Sequence, residues 1–134
     1  MVTDQLAKIL ASRHFARTTR LSRLLRFVVD EMLAGRAAEL KEYPIAIAVF
    51  DKPETFDPRL DAIVRVGARE MRSRLDAYYR DEGRGDSIVI CCQAGSYAPR
   101  FDVRQTAPKP HAQTEFWNAR INALQALLTR KAVR

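Results

Sequence analysis

The stretch DAIVRVGAREMRSRLDAYYRDEGRGDSIVICCQAGSYAPRF, residues 61–101, decides the fold of this chain. In its first half, apolar residues recur at three- and four-residue steps, which predicts an amphipathic helix with Asp61 as its N-cap. Residues 87–92 (SIVICC) and 97–101 (YAPRF) then predict two strands, because such short β-branched and aromatic runs favour extended backbone. Gly95 lies in the turn between them and is expected to adopt a positive φ. The stretch therefore predicts a helix followed by a β-hairpin.

The predicted helix has two different faces when its residues are spaced at 100° each. The face expected in the core carries Val64, Gly67, Ala68, Met71, Leu75 and Tyr78. The opposite face is cationic and carries Arg65, Arg69 and Arg72, flanked by Ala62, Val66 and Ser73. Arg74 lies off both faces. The cationic face is either a surface for an anionic ligand or a solvated surface whose arginines pair with Glu70 or Asp76.

Upstream of this stretch the pattern is helical. A first helix has Leu6, Ile9 and Leu10 on one face and is closed by Phe15. A second is expected over residues 20–34, with a broad stripe formed by Leu21, Leu24, Leu25, Val28, Val29, Met32 and Leu33. Gly35 suits its C-terminal cap. The apolar block YPIAIAVF, residues 43–50, favours a third helix, and residues 51–59 read as a loop with two prolines.

The domain boundaries follow from these patterns. Residues 1–101 form one mainly α domain with a C-terminal β-hairpin wing, and the polar residues 102–113, which contain two prolines, form a linker. Residues 114–134 predict a C-terminal amphipathic helix whose stripe is Phe116, Trp117, Ile121, Leu124 and Leu128. This helix is expected to form a homodimer or bind a partner protein, and folding back onto the domain is the alternative.

Composition narrows the class of protein. With 134 residues, 47% hydrophobic and 29% charged, the chain fits one ordinary globular domain. The net charge of +7 favours a polyanionic partner such as nucleic acid. The chain has no apolar run long enough for a membrane span and no secretory signal at its start. A cytoplasmic, nucleoid-associated protein without a membrane partner is expected.

Enzymatic chemistry has little support in the sequence. We find no phosphate-cradling glycine loop, no Ser/His/Asp arrangement and no spacing typical of a metal site, so neither a cofactor nor a metal is expected. The neighbouring Cys91 and Cys92 point to opposite sides of a strand, where a bridge between them would be strained. They are expected to be reduced thiols, and a redox role for them stays open.

Two family resemblances build on these blocks. The residues Val64, Val66, Ala68, 71–75, Ile90 and 95–97 resemble the winged-helix output domains of OmpR/PhoB-type response regulators. Here, however, two helices replace the four-stranded sheet that opens those domains. A closer resemblance, over about residues 6–101, is to a bacterial winged helix-turn-helix domain found N-terminal to adenylate-cyclase-like or TPR regions. Its blocks here are LxxFVV (24–29), LAGR (33–36), LKEY (40–43), AVF (48–50), FDP (56–58), DxIVRV (61–66), LxxYY (75–79) and GSYxP (95–99).

The resemblances imply double-stranded DNA binding by a small bacterial transcriptional regulator, with the helix in the major groove. Arg65 and Arg69 are expected at base edges, Arg72 at a phosphate and Val66 at a thymine methyl group. Further contacts are expected from Ser73, Lys41, Tyr43, Arg84 and Arg100. The family's Pro-Lys pair before the turn is replaced here by Gln93 and Ala94, which shifts the expected contact from the hairpin tip to the helix. The alternative is a winged-helix adaptor or antiactivator that binds RNA polymerase or another regulator.

Overall fold

Four α-helices precede a two-stranded hairpin in residues 1–104, the part of the chain that the computed structural model describes. The helices are α1 (Val2–Ala11), α2 (Thr19–Leu33), α3 (Glu42–Phe50) and α4 (Ile63–Arg80), with a single 3-10 turn at Ala37–Glu39. The strands are β1 (Ile88–Cys91) and β2 (Arg100–Val103). The mainly helical fold with a following hairpin is confirmed and is compatible with a winged helix. The stripe predicted at Phe116, Trp117, Ile121, Leu124 and Leu128 lies outside the described residues.

The first three helices form as their patterns predict. The buried residues of α1 and α2 include Leu6, Ile9, Leu21, Leu24, Leu25, Val28 and Val29, and Phe15 is buried after α1. Leu33 departs from the predicted stripe: it ends α2 and is 50% exposed. Gly35 closes the helix at φ +80°, with its amide bonded to Met32 and that of Arg36 bonded to Glu31. These two hydrogen bonds form a Schellman cap, which satisfies the last carbonyls of α2.

The α4 helix packs on the core through the face that the sequence predicts. All six of the expected residues are buried, namely Val64, Gly67, Ala68, Met71, Leu75 and Tyr78. The predicted cap is wrong by one residue, because Ala62 takes the N-cap position and Asp61 precedes it. The Asp61 carboxylate still accepts the amide of Ile63 at 3.0 Å and forms an ion pair with Lys52 at 2.9 Å.

The hairpin is shifted along the chain relative to its prediction. The second strand spans Arg100–Val103 instead of 97–101, and Ile88 pairs with Val103 and Cys91 with Arg100. Pro99 has no N–H for the ladder and is buried just before the strand, so pairing begins at Arg100. The predicted domain end at residue 101 therefore falls inside β2, and the compact unit continues to Arg104. A longer loop, residues 92–99, joins the strands.

A buried polar cluster joins α1, α4 and the hairpin. The carboxylate of Asp86 accepts hydrogen bonds from Gln5 at 2.8 Å and Lys8 at 2.9 Å, and also from the hydroxyl of Tyr78. The hydroxyl of Tyr79 accepts the amide of Ile90 at 2.9 Å and donates to the carbonyl of Ile88 at 3.1 Å. These bonds fix the start of β1 against α4 and so set where the hairpin lies beside that helix.

No helix within residues 1–104 is both long enough and apolar enough to cross a bilayer.

Candidate nucleic-acid interface

The outward face of α4, which we define as Arg65, Val66, Arg69, Arg72 and Ser73, is open to solvent. Arg65, Val66, Arg69 and Ser73 are exposed, and Arg72 is half-buried. Val66 is 47% exposed between these arginines. The face therefore presents three guanidinium groups and one apolar side chain, a combination that can contact both the phosphates and the base edges of DNA.

Arg65 is tied to the scaffold on the α3 side. Its Nη1 donates to Oε1 of Glu42 at 3.3 Å and lies 3.1 Å from Oε2, and its Nη2 donates to the carbonyl of Pro58 at 3.0 Å. The buried Oε2 atom has no hydrogen bond of its own, because its angle to Nη1 is unfavourable. Neither Glu70 nor Asp76 pairs with Arg65. The arginine is thus held at a fixed position at the N-terminal end of α4.

Arg69 and Arg72 differ from Arg65 in having no fixed partner. Within residues 1–104 neither makes a hydrogen bond or an ion pair. Of the 18 Lys and Arg residues in this region, ten, including Arg69 and Arg72, form no ion pair. The other eight do, namely Lys8, Arg13, Arg23, Arg36, Lys52, Arg59, Arg65 and Arg100. The expected pairing with Glu70 or Asp76 is absent from the described residues, so these two guanidinium groups are available to a ligand.

Arg74 is directed away from this face, as the 100° spacing of helical residues predicts. Its Nη1 donates to the carbonyl of His14 at 3.1 Å and so joins α4 to the segment after α1. It stabilises the fold and takes no part in the candidate interface.

A cleft of about 300 Å³ separates α4 from the loop at residues 92–99. It is lined by Arg65, Ala68, Arg69, Arg72, Gly95, Ser96 and Tyr97. Burial and the charge of Glu42 raise the pKa of Tyr97, while Arg65 and Arg72 oppose that rise. The hydroxyl of Tyr97 is therefore a neutral donor at physiological pH. The fold thus brings three predicted arginines together with the Gly-Ser-Tyr segment of the hairpin.

The other predicted contact residues lie apart from the cleft lining. Lys41 is exposed at the start of α3, and Tyr43 is 41% exposed with its hydroxyl donating to the carbonyl of Glu54 at 2.9 Å. Arg84 is exposed before β1. Arg100 is exposed on β2, where its guanidinium pairs with Asp102 at 3.1 Å. Arg100 also lines a second cleft of about 400 Å³ together with Arg72 and Arg80.

Sequence reasoning missed some residues of the site and recognised others only as a motif. Glu42 is not singled out as a site residue from sequence, yet it holds Arg65 across a separation of 23 positions, which no local periodicity reports. Ser96 and Tyr97 enter the sequence argument only as part of a family block. A glycine and a serine before an aromatic residue indicate a turn, but they do not show that the turn faces α4.

Two other groups of reactive side chains have structural explanations. His14, Asp81 and Glu82 are close enough to hold a cation, but Arg13 already pairs with both carboxylates. Cys91 and Cys92 are free thiols. Burial and its neighbour Cys91 raise the pKa of Cys92 to about 12, against an opposing effect of Arg72. A thiol with such a pKa is a weak nucleophile, which disfavours a redox role.

Comparison of the chain with protein-family models, with curated proteins and with solved structures gave no match.

Proposed function

We propose that this protein binds double-stranded DNA sequence-specifically, as a small transcriptional regulator, through the outward face of α4. The observation that carries the proposal is that Arg69 and Arg72 stand without partners on this face, beside a hairpin, within residues 1–104. Charge alone is weak support, because 18 basic and 15 acidic residues leave this region only +3. What supports the proposal is the arrangement of that charge, since the cations that lack a partner include two on one exposed helical face.

The roles of the arginines follow from how each is held. Arg69 lies in the half of α4 nearer its N-terminus, the end that usually enters the major groove, and its guanidinium is available to a guanine O6/N7 pair. Arg65 already donates from both terminal nitrogens to the scaffold, so in this proposal it is a pre-positioned cation at the rim of the groove. Val66 is the candidate for contact with a thymine methyl group, and Arg72 for contact with a phosphate.

The hairpin contributes flanking contacts in this proposal. Arg84 lies before β1 and Arg100 lies on β2, and both are candidates for contact with the DNA backbone or the minor groove. Arg100 has a weaker case, because its charge is already balanced by Asp102. Lys41 and Tyr43, at the start of α3, are candidates for phosphates next to the N-terminal end of α4.

The alternative function is protein binding, as an adaptor of RNA polymerase or of another regulator. The observation that favours it is exposed apolar surface: Leu60 is 85% exposed just before α4, and Val66 is 47% exposed in its first turn. Exposed aliphatic side chains of this size occur at protein interfaces. A DNA titration separates the two functions.

The test is a fluorescence titration of a labelled genomic duplex pool across a salt series. We expect the logarithm of the binding constant to fall linearly with the logarithm of salt concentration. Arg72→Ala should reduce that slope by about one. Arg69→Ala should reduce the difference in affinity between preferred and random duplexes. Arg26→Ala is the matched control, because Arg26 is an exposed arginine of α2 that also has no ion pair within residues 1–104.

Two results would speak against DNA binding. If the folded wild-type protein shows no sequence preference at low salt, the adaptor function takes precedence. If Arg26→Ala lowers the slope as much as Arg72→Ala, the attraction is a general effect of charge and does not involve the face of α4.

A further inference from the structure

The cleft between α4 and the loop at residues 92–99 has the donors for a single anionic group. We infer that it binds one phosphate group, between Arg69 and Arg72 on the helix and Ser96 and Tyr97 on the loop. Arg69 can serve this phosphate and a guanine edge together, because its guanidinium carries five N–H donors. The inference rests on the proposed function for the source of the phosphate, which is then the backbone of the bound DNA. A free phosphate ion presents the same chemistry, and the experiment below distinguishes the two sources.

The helical wall of the cleft is electrostatically unbalanced without a ligand. Arg69 and Arg72 are one turn apart on the same helix, where like charges repel each other. Arg72 is half-buried, and it has no carboxylate partner within residues 1–104. An anion between the two would remove the repulsion and supply the missing hydrogen-bond acceptors. The lining includes no acidic residue, and Glu42, whose charge acts on Tyr97, is paired with Arg65.

The loop wall adds neutral donors from the other side. The Oγ atom of Ser96 accepts the amide of Ala98 at 3.1 Å, which leaves its own hydrogen free to donate. The hydroxyl of Tyr97 makes no hydrogen bond within the described residues, and it stays protonated at neutral pH. Gly95 has φ +91°, and a Cβ built there would meet nothing within 4 Å, so the loop leaves the mouth of the cleft open.

The donor set fits a phosphate better than a carboxylate. Guanidinium groups bind phosphate oxygens in pairs, and the hydroxyls reach other oxygens of the same group from the opposite wall. A carboxylate is planar, whereas the two charged oxygens of a backbone phosphate lie on a tetrahedral phosphorus with two ester oxygens, so donors from both walls can approach them. A volume of about 300 Å³ exceeds that of one phosphate, so the sugars that flank a backbone phosphate can enter the mouth as well.

The first arm of the experiment uses no DNA. Inorganic phosphate is titrated into the full chain, and amide shifts of Gly95 and Ser96 and side-chain shifts of Arg69 and Arg72 are followed by NMR. We expect saturable shifts in the wild type and in Arg26→Ala, and their loss in the Arg69→Ala/Arg72→Ala double variant. Tyr97→Phe keeps the ring and removes the hydroxyl, so it should weaken phosphate binding several-fold while leaving the thermal midpoint nearly unchanged.

The second arm uses duplexes in which single phosphates are replaced by neutral methylphosphonate. At one position, we expect the replacement to weaken wild-type binding roughly tenfold. At that same position Arg72→Ala should lose less than the wild type does, because one of the contacts to that phosphate is already gone. Arg26→Ala should lose as much as the wild type does.

The outcomes show separately whether the cleft binds phosphate and whether that phosphate belongs to DNA. Phosphate shifts together with one coupled methylphosphonate position support the backbone phosphate. Shifts without any DNA binding support the site, assign it to a free phosphate ion and refute the proposed function. DNA binding with neither cleft shifts nor a coupled position overturns the inference and leaves the proposed function standing.

Discussion

Glu42 and Arg65 form an ion pair that joins the first turn of α3 to the first turn of α4, with Nη1 of the arginine 3.1 Å from Oε2 of the carboxylate. A second bond from Arg65 to the carbonyl of Pro58 extends the link to the loop between these helices. In a helix-turn-helix arrangement, these are the elements whose relative position decides where the second helix meets DNA. The pair therefore holds one candidate contact residue and orients the helix that carries the others.

We expect Glu42→Gln to reduce sequence discrimination more than affinity. The substitution keeps the side-chain volume, removes one negative charge near the proposed DNA surface and releases Arg65. Non-specific affinity should rise, because one fewer carboxylate repels phosphates, while the ratio of specific to non-specific binding should fall. Both are measured by titrating a preferred and a scrambled duplex at one salt concentration.

Glu31→Gln is the control for this prediction, because Glu31 pairs with Arg36 at the end of α2, outside the α3–α4 link. An unchanged specificity ratio in Glu42→Gln would show that Arg65 needs no fixed position.

Acid should destabilise this protein partly through Asp86. Burial favours its neutral form, but hydrogen bonds from Gln5, Tyr78 and Lys8 outweigh this and lower the pKa of Asp86. A carboxyl whose pKa is lower in the folded state contributes stability above its unfolded pKa of about 3.9, and that contribution is lost as the pH falls through the folded value. Asp86→Asn should therefore cost about 1–3 kcal/mol at pH 7 and show a shallower loss of stability below pH 4.

Urea unfolding at a series of pH values from 7 to 3 checks this prediction. Asp57→Asn serves as the comparison, because Asp57 forms only an exposed pair with Arg59. Equal pH profiles for the wild type and Asp86→Asn would mean that the buried cluster is not what acid disrupts.

Gly83→Ala should destabilise the fold by about 1–3 kcal/mol, the usual range for overpacking. A Cβ at this position would lie 2.2 Å from Cε2 of Tyr78, whose ring is almost fully buried and cannot move aside. Gly85→Ala, two residues later, would meet nothing within 4 Å and should be nearly neutral. Urea midpoints of the two variants provide the comparison, and similar midpoints would contradict the close packing of Gly83 on Tyr78.

The sequence predicted those parts of the fold that have a local periodic signal. The six buried residues of α4 were predictable because a 3.6-residue repeat places them on one side of a single helix. The same helical repeat predicted that Arg74 does not lie on the cationic face. The position of Gly35 followed from its tolerance of positive φ at a helix end.

Features that depend on tertiary contacts were not predictable in this way. The pairing of Arg65 with Glu42 joins two helices, and sequence offered the nearer Glu70 and Asp76 as partners. The second strand was placed too early because Tyr97 and Ala98 have strand-like neighbours, whereas pairing has to wait until after Pro99. The cleft depends on where the loop lies beside α4, which is set by Asp86, Tyr79 and their long-range hydrogen bonds.

Alkylation should be slow at both cysteines of the folded protein. Burial and then Asp102 raise the pKa of Cys91, and that of Cys92 is about 12, so at pH 7.5 little thiolate is present at either. Relative to a free thiol of pKa about 8.5, the thiolate fraction of Cys92 is lower by roughly a thousandfold. Mass spectrometry after timed iodoacetamide treatment measures this, with the urea-unfolded chain as the fast-reacting control. Native rates close to those in urea would reopen a redox role.

Removal of residues 105–134 should convert the protein from a dimer to a monomer, if the predicted C-terminal helix pairs with its copy. The cut belongs after Arg104, because the amide of Arg104 bonds to the carbonyl of Ser87 at 2.6 Å and its guanidinium donates to the carbonyls of Gly83 and Arg84. A cut at residue 101 would remove half of β2 and confuse unfolding with dissociation.

Light scattering on the full chain, on residues 1–104 and on full-length Leu124→Asp provides the masses. We expect the mass of two copies for the full chain. For the 1–104 fragment and for full-length Leu124→Asp we expect the mass of one copy, since a charge in the apolar stripe should disrupt pairing. A monomeric full chain would refute the dimer, and a dimeric 1–104 fragment would place the interface within residues 1–104.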